Sequence, residues 1–294
     1  SDHLSPGYWT TWLGITGMVI LARLPYRVTL FFGTCFGYLL YTFAASRQKI
    51  TQTNVKLCFP EMSAVESKAF TKATIIENGV GLVETCIAWF NHQRIRRSMI
   101  EVTGQEVLEE TIAEGRGVIL VGAHYTTLDL GGVLMAKVHK VGVMYRRNKN
   151  PLMDLFMRTS REKVLPREDM RNVIRFIKRG GVMWYAPDQD YGRDNSVFAP
   201  FFGVEAATVT AIPRLVKLTG AAVLILGHHR RLDKKGYILS ISRLSGAYPT
   251  GDDREDAALI NHELEQQIRK YPTQYMWLHR RFKTRPMGEP KLYP

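Results

Sequence analysis

From residue 100 to residue 270 the chain repeats one pattern: a short apolar run, a polar break, then a segment with helical periodicity. The apolar runs fall at 118–122, 141–145, 182–186, 221–227 and 237–242. Helical patterns fall at 126–138, 151–161, 168–179, 206–219 and 253–270. This alternation predicts an α/β fold with a largely parallel central sheet flanked by helices. Upstream, Ser63-Ala64-Val65-Glu66 matches a capping box and opens a helix expected to reach Phe90.

The N-terminus follows a different rule. No charged residue stands in Leu4–Ala22 or in Val28–Ala45, and Arg23, Pro25 and Arg27 separate the two runs. Each run has the length at which a helix begins to span a membrane. Tyr8, Trp9 and Trp12 stand where interfacial anchors would. The expectation is one membrane anchor at 4–22, with 28–45 a helix lying on or in the membrane surface or against the domain. Gly33 and Gly37 give that second helix a small-residue face suited to close packing. Arg23, Arg27, Arg47 and Lys49 all follow the first run, which places the rest of the chain on the cytoplasmic side. Residues 1–48 are thus read as the membrane-associated part and 49–294 as the α/β domain.

The charge balance narrows the partners. Forty Lys and Arg against 27 Asp and Glu give +13 over 294 residues, an excess that favours nucleic acid, an anionic membrane surface, or a phosphorylated or acidic substrate. RNA binding wants aromatics interleaved with basic residues on a sheet face, and no such string occurs, so no nucleic-acid partner is expected. Cys35, Cys58 and Cys86 are widely spaced and form no CxxC pair. A disulfide framework or cysteine zinc site is disfavoured, and a reducing compartment fits.

In parallel sheets, sites gather where strands end and helices begin. His124 follows one predicted strand, Tyr145-Arg146-Arg147-Asn148 the next, and Pro187-Asp188-Gln189-Asp190 a third. His124 and Asp129 lie five apart, about 140° around one continuous helix, so they face each other only across a strand–turn–helix junction. There Thr126 would be the N-cap and Asp129 would stand at N3. Thr-x-x-Asp is also a plain capping pattern, and a cap can still hold a carboxylate where it orients an imidazole. A histidine backed by a carboxylate is a general base. No GxSxG elbow occurs and no cysteine lies near, so the proton would come from a substrate hydroxyl, as in direct acyl transfer. Asp188-x-Asp190 also resembles a Mg²⁺-binding DxD, but its companion motifs are missing. These carboxylates are instead expected to bind Arg146 or Arg161.

"HYTTLD" (His124–Asp129) resembles the HX4D/E motif of the glycerolipid acyltransferase superfamily. "NVKLCFPEMS" (Asn54–Ser63), "YRRNKNPLMD" (Tyr145–Asp154), "WYAPDQDYG" (Trp184–Gly192) and "QYMWLHRRFKTRP" (Gln274–Pro286) narrow the resemblance to the late acyltransferases of lipid A biosynthesis, especially the lauroyltransferase type. The resemblance covers nearly the whole chain. It implies a single-pass inner-membrane protein with its catalytic domain on the cytoplasmic face. The implied donor is a fatty-acyl thioester on acyl carrier protein. The implied acceptor is a hydroxyl on a hydroxyacyl chain of the Kdo-bearing lipid A precursor, with no metal or diffusible cofactor. By motif position His124 and Asp129 would be the catalytic pair, and Arg161 and Asp188 match the family's other functional positions. Two departures stand out: Asp129 replaces the usual Glu, and Gln189 replaces the His of "PDHDYG".

Arg161 is a candidate to stabilise the thioester oxyanion or bind a phosphate, with Arg146, Asn148 and Asp190 as further substrate-site candidates. Arg280, Arg281, Lys283 and Arg285 follow the apolar Met276-Trp277-Leu278 and read as a headgroup clamp for the lipid's phosphate and Kdo groups. His228, His229, Arg230, Arg231, Lys234 and Lys235 would serve the acidic carrier protein or anionic lipids. Two rivals remain: another HX4D enzyme, such as a lysophosphatidate or mannoside acyltransferase, and a basic anionic-lipid-binding membrane protein in which His124 and Asp129 are structural.

Overall fold

Val118-Ile119-Leu120-Val121-Gly122 is buried at every position, which requires cover on both faces of its sheet. The structure, a computed structural model, describes residues 4–161 and 163–293. Four helices come first: α1 (Trp9–Arg23), α2 (Tyr26–Phe43), α3 (Ala45–Cys58) and α4 (Ala64–Phe90). Then follow β1 (Ile100–Thr103), α5 (Gln105–Ala113), β2 (Val118–Gly122), α6 (Leu128–Ala136), β3 (Gly142–Tyr145) and α7 (Pro151–Thr159). Next are β4 (Lys163–Pro166), α8 (Met170–Lys178), β5 (Val182–Tyr185), β6 (Ser196–Phe201) and β7 (Val204–Val209). The remainder is α9 (Ala211–Thr219), β8 (Ala222–Arg230), β9 (Tyr237–Arg243) and α10 (Asp253–Lys270).

Seven strands form one sheet in the order β1-β9-β8-β2-β5-β3-β4. All neighbours are parallel except β8 and β9. The expected α/β class and mostly parallel sheet are therefore found. Alternation along β2 divides the core: Val118 and Leu120 pack with Ile87, Leu130 and Leu134, while Ile119 and Val121 join Ile212, Leu215 and Leu264.

The structure adds four strands to the five expected, two at the sheet edges and two in a separate hairpin. β1 and β4 are short strands at the two edges of the sheet. The helix expected at 206–219 begins only at Ala211, because Val204–Val209 pairs antiparallel with Ser196–Phe201. Phe202 and Gly203, both at positive φ (50° and 76°), make the two-residue turn between them.

Ser63 opens α4 with both halves of the capping box, as its sequence predicts. Against α4 lie α1 and α2. α2 crosses α4 at glycines: a Cβ built on Gly79 would stand 2.3 Å from the backbone nitrogen of Gly37, and one on Gly37 would stand 2.6 Å from Ile76 Cα. Backbones meet there because no side chain intervenes. The boundary expected at 48/49 falls inside α3.

The anchor expected at 4–22 is, as a helix, the 15 residues of α1, about 22 Å long at 1.5 Å per residue against a hydrocarbon core of about 30 Å. Among the described residues no single helix is long and apolar enough to cross a membrane, although α2 and α3, bent by 92°, pass that test together. Leu13, Ile20, Phe31, Phe36, Leu39 and Phe43 instead form exposed apolar surface on the α1–α2 pair.

The basic run from His228 to Lys235 is corrected in part, since Lys234 and Lys235 are exposed. His228, His229 and Arg230 are buried, so they offer nothing to an external acidic partner. Arg230 donates to Glu84 at 2.7 Å and pairs with Glu77, while Tyr237 donates to Glu84 at 2.9 Å. The cation thus ties β8 to α4.

The glycine crossing gives a direct test. Gly79→Leu should cost about 1–3 kcal/mol and lower Tm by several degrees, because the clash is with backbone. Gly14→Leu, with nothing within 4 Å of its Cβ, should leave the melt unchanged or raise it slightly through helix propensity. Equal melts for the two variants would show that the α2–α4 crossing is not a clamp.

Candidate active site

Strand register assembles the centre of the site. β2 and β5 are parallel neighbours with Val121 opposite Tyr185. Three residues beyond each partner stand His124 and Asp188, so equal offsets along adjacent strands bring them side by side. His124 Nδ1 lies 2.6 Å from Asp188 Oδ1, and the His124 backbone N–H donates to Asp188 Oδ2 at 2.9 Å. Asp188 is buried, and His124 borders a cavity of about 990 Å³.

This differs from the expected pair. Asp129 gives its carboxylate to Arg161, whose Nη2 lies 2.9 Å from Oδ1. The helix N-cap is Thr127 rather than Thr126, which puts Asp129 at N2. Thr127 does not cap through its side chain, because its hydroxyl donates to the His228 carbonyl at 3.0 Å and meets His228 Nδ1 at 2.9 Å. Asp188 and Asp190 were expected to hold Arg146 or Arg161. Asp188 holds His124, and Asp190 accepts from the Thr284 N–H and hydroxyl at 2.6 and 2.8 Å.

The remaining candidates separate into two groups. Arg146 and Arg161 line the cavity with His124 and Asp129. Asn148 shapes the loop before α7: its N–H donates to Asp154 at 2.6 Å and its Oδ1 accepts from Asn150 at 2.9 Å. In the C-terminal cluster Arg280 and Lys283 are exposed, but Arg281 is buried. Its guanidinium donates to Ala207 O at 2.6 Å and Thr208 Oγ1 at 2.8 Å, so it braces β7 and cannot clamp a headgroup.

The C-terminal string has a positional role that its sequence did not disclose. Met276 N–H donates to His124 O at 2.9 Å, and Thr126 N–H donates to Gln274 O at 2.8 Å. Asn54, from the first quoted string, donates to Trp277 O and His279 O at 2.6 and 2.7 Å. Asn54 and the Gln274–His279 segment thereby hold the His124 loop, and Tyr275 of that segment also hydrogen-bonds Asp188.

The cavity opens where the sheet parts. β3 and β5 pair only at Gly142–Met183 and Val143–Trp184. Beyond that pairing, Met144, Tyr145, Tyr185 and Ala186 line the cavity, with Leu128, Val133, Met170 and Leu218 among its apolar walls. Sequence reading missed Trp184, Arg167 and Arg214 as lining residues. Among the described residues no group of three His, Cys, Asp or Glu is placed to hold a metal ion.

Burial opposes a charged imidazole at His124, but the charge and hydrogen bond of Asp188 outweigh it and raise the pKa above 6.5. Burial likewise opposes ionisation of Asp188, and the charge and hydrogen bonds of His124 hold its carboxyl down to about 2. The raised histidine contributes stability that is full below 6.5 and fades as pH rises through the folded value. The depressed aspartate contributes above 3.8 and fades as pH falls towards about 2. Such a pair makes a base whose tautomer is fixed: Nδ1–H faces Asp188, leaving Nε2 as the proton acceptor.

A sequence profile of bacterial lipid A biosynthesis acyltransferases matches residues 1–284. The lipid A biosynthesis lauroyltransferase of Escherichia coli (strain K12) is 41% identical over 295 aligned residues, covering 99% of this chain and 96% of the relative. The palmitoleoyltransferase of the same strain is 39% identical over 297, covering 99% and 97%. A lipid A biosynthesis acyltransferase of Haemophilus influenzae is 36% identical over 299, covering 99% and 96%.

If neutral His124 is the working form, activity rises with pH along a limb centred above 6.5. Asp188→Asn removes the group that raises the pKa and leaves burial, which lowers it. The limb should therefore move below 6.5, with the plateau reduced about 10²-fold or more. A pH–rate profile whose midpoint is unmoved by Asp188→Asn would overturn the pairing.

Proposed function

Because the chain belongs to the bacterial lipid A biosynthesis acyltransferase family, we propose that it moves a fatty acyl chain from acyl carrier protein to a hydroxyl on a hydroxyacyl chain of the Kdo-bearing lipid A precursor. The observation that carries this reading is His124, fixed by buried Asp188 at the edge of a mostly apolar cavity. Nε2 takes the proton of the acceptor hydroxyl as its oxygen attacks the thioester carbon. The tetrahedral intermediate then expels the thiolate, which takes the proton back from the imidazolium. An ester forms, a thioester breaks, and the carrier leaves as its thiol. Arg161, held by Asp129, places a cation at the cavity for the developing oxyanion. Asp129 thus acts as a positioning residue.

No acyl-enzyme is invoked. Cys58 and Cys86 are buried with thiols raised by burial, and among the described residues no cysteine lines the cavity. The thioester is already activated, so the proposed reaction uses no metal or diffusible cofactor. Laurate is the donor chain we assign, and palmitoleate is the second reading, because a palmitoleoyltransferase is 39% identical against 41% for a lauroyltransferase.

The membrane face is assigned to the α1–α2 pair, on the cytoplasmic side of the inner membrane. Its exposed leucines and phenylalanines would enter the acyl-chain boundary, and the net charge of +13 would draw the chain to anionic lipid. α1 packs on α7, whose last residue Thr159 lines the cavity: Thr11 accepts from Asn150 at 3.0 Å, and the Trp12 ring lies 6.2 Å from that of Phe156 on α7. A lipid acceptor would therefore reach the cavity from the surface that α1 occupies.

Mass spectrometry of products from the lipid A precursor and a panel of C10 to C16 acyl-carrier thioesters tests the reaction. A methylene misfit of about 1–3 kcal/mol resolves neighbouring chain lengths. Laurate should be transferred fastest, and His124→Ala should lose about 10²-fold or more in turnover while remaining folded. No product from any donor, or wild-type turnover in folded His124→Ala, would sink the reading. For the membrane face, Leu13→Glu with Phe43→Glu should reduce flotation with anionic liposomes several-fold without lowering Tm, since both side chains are exposed. Unchanged flotation would reject that face.

A further inference from the structure

Five cations line the cavity among the described residues, Lys137, Arg146, Arg161, Arg167 and Arg214, against one carboxylate, Asp129. Acyl transfer from a thioester to an alcohol involves no charged reactant group beyond the oxyanion that Arg161 is placed to meet. The other four cations are in excess of what the chemistry at His124 requires. Two of them share a location. Arg146 directly follows β3 and Arg167 directly follows β4, and the Arg167 N–H donates to Tyr145 O at 2.9 Å, which joins the two strand ends. Tyr191, from the segment after β5, lies within electrostatic reach of both guanidiniums and also lines the cavity.

The carboxyl ends of three adjacent parallel strands thus present two guanidiniums and a phenol at one rim of an apolar cavity. That is the kind of position where open α/β sheets bind ligands. Guanidiniums match phosphate oxygens through paired N–H donors, and a phenol adds a neutral one. Resting on the acyltransferase reading above, we propose that Arg146, Arg167 and Tyr191 form a subsite for a phosphate ester carried by one of the two substrates.

The competing partner of Arg167 is weak. Its ion pair with Glu168, at 3.2 Å, joins side chains 41% and 57% exposed, a setting in which such pairs contribute little. A phosphate can replace that carboxylate at small cost. The phosphate comes either from the sugar phosphate of the lipid acceptor or from the phosphopantetheine arm of the carrier-bound donor. Both place an anion at the mouth and an acyl chain in the cavity.

The subsite is tested first without turnover. Trp184 lines the cavity, so tryptophan fluorescence reads its occupancy by dodecyl phosphate and by uncharged dodecanol in neutral detergent. Wild-type protein should bind the phosphate at least about 10-fold tighter, and the Arg146→Gln/Arg167→Gln variant should prefer it by less than about 2-fold. The same preference in both proteins would overturn the subsite. Turnover then identifies the source, with acceptor lacking its sugar phosphate, or acyl-pantetheine in place of acyl-phosphopantetheine. Removing the recognised phosphate should cost wild type about 10-fold or more in kcat/KM and the variant less than about 2-fold. Equal costs in both proteins for both removals would also overturn it. Because the amphiphile arm needs no reaction, failure of acyl transfer would sink the proposed activity and leave the binding result standing.

Discussion

One buried carboxylate organises the site. Asp188 accepts from the His124 main chain at 2.9 Å and stands 2.6 Å from its imidazole, so a single side chain fixes both the loop and the ring. A buried carboxylate is tolerated only when its lone pairs are occupied, and here the base itself and the Tyr275 hydroxyl occupy them. The arrangement rests on strand order. β5 lies beside β2 with Val121 opposite Tyr185, and a one-residue slip would move Asp188 away from His124.

The same economy runs through the rest of the chain. The C-terminal segment grips the His124 loop through Gln274 and Met276, and Asn54 grips the segment. α4 carries the N-terminal helices on its glycine crossing and reaches the sheet through Glu84 and Arg230. Burial pushes the Glu84 carboxyl up to about 8, and its hydrogen bonds with Arg230 and Tyr237 join α4 to the sheet. The apolar surface of α1 and α2 is therefore held in a fixed position relative to the cavity, as an enzyme acting on a lipid at a membrane boundary requires.

The sequence carried much of this. Five apolar runs marked five strands of the sheet, and the polar residues at three strand ends marked the place where the site lies. β1 and β4 escaped because edge strands have one neighbour, and Ile-Glu-Val-Thr and Lys-Val-Leu-Pro lack a continuous apolar signature. The partner of His124 escaped for a different reason. Thr-x-x-Asp is a local pattern and pointed to Asp129, whereas Asp188 becomes a neighbour only through the β2–β5 pairing, 64 residues away. Arg281 resembled its exposed neighbours because charge runs read as surface. Its flanking Trp277 and Phe282 are both buried, and they carry it into the core.

Asp188, and not Asp129, holds the His124 imidazole. NMR of protein labelled with ¹⁵N at the histidine rings tests this directly, since it reports the tautomer and titration of His124 without substrate. In the wild type His124 should keep its proton on Nδ1 and titrate above 6.5. It should do the same in Asp129→Asn, and should titrate below 6.5 in Asp188→Asn. A titration that moves with Asp129→Asn and stays fixed in Asp188→Asn would contradict the account.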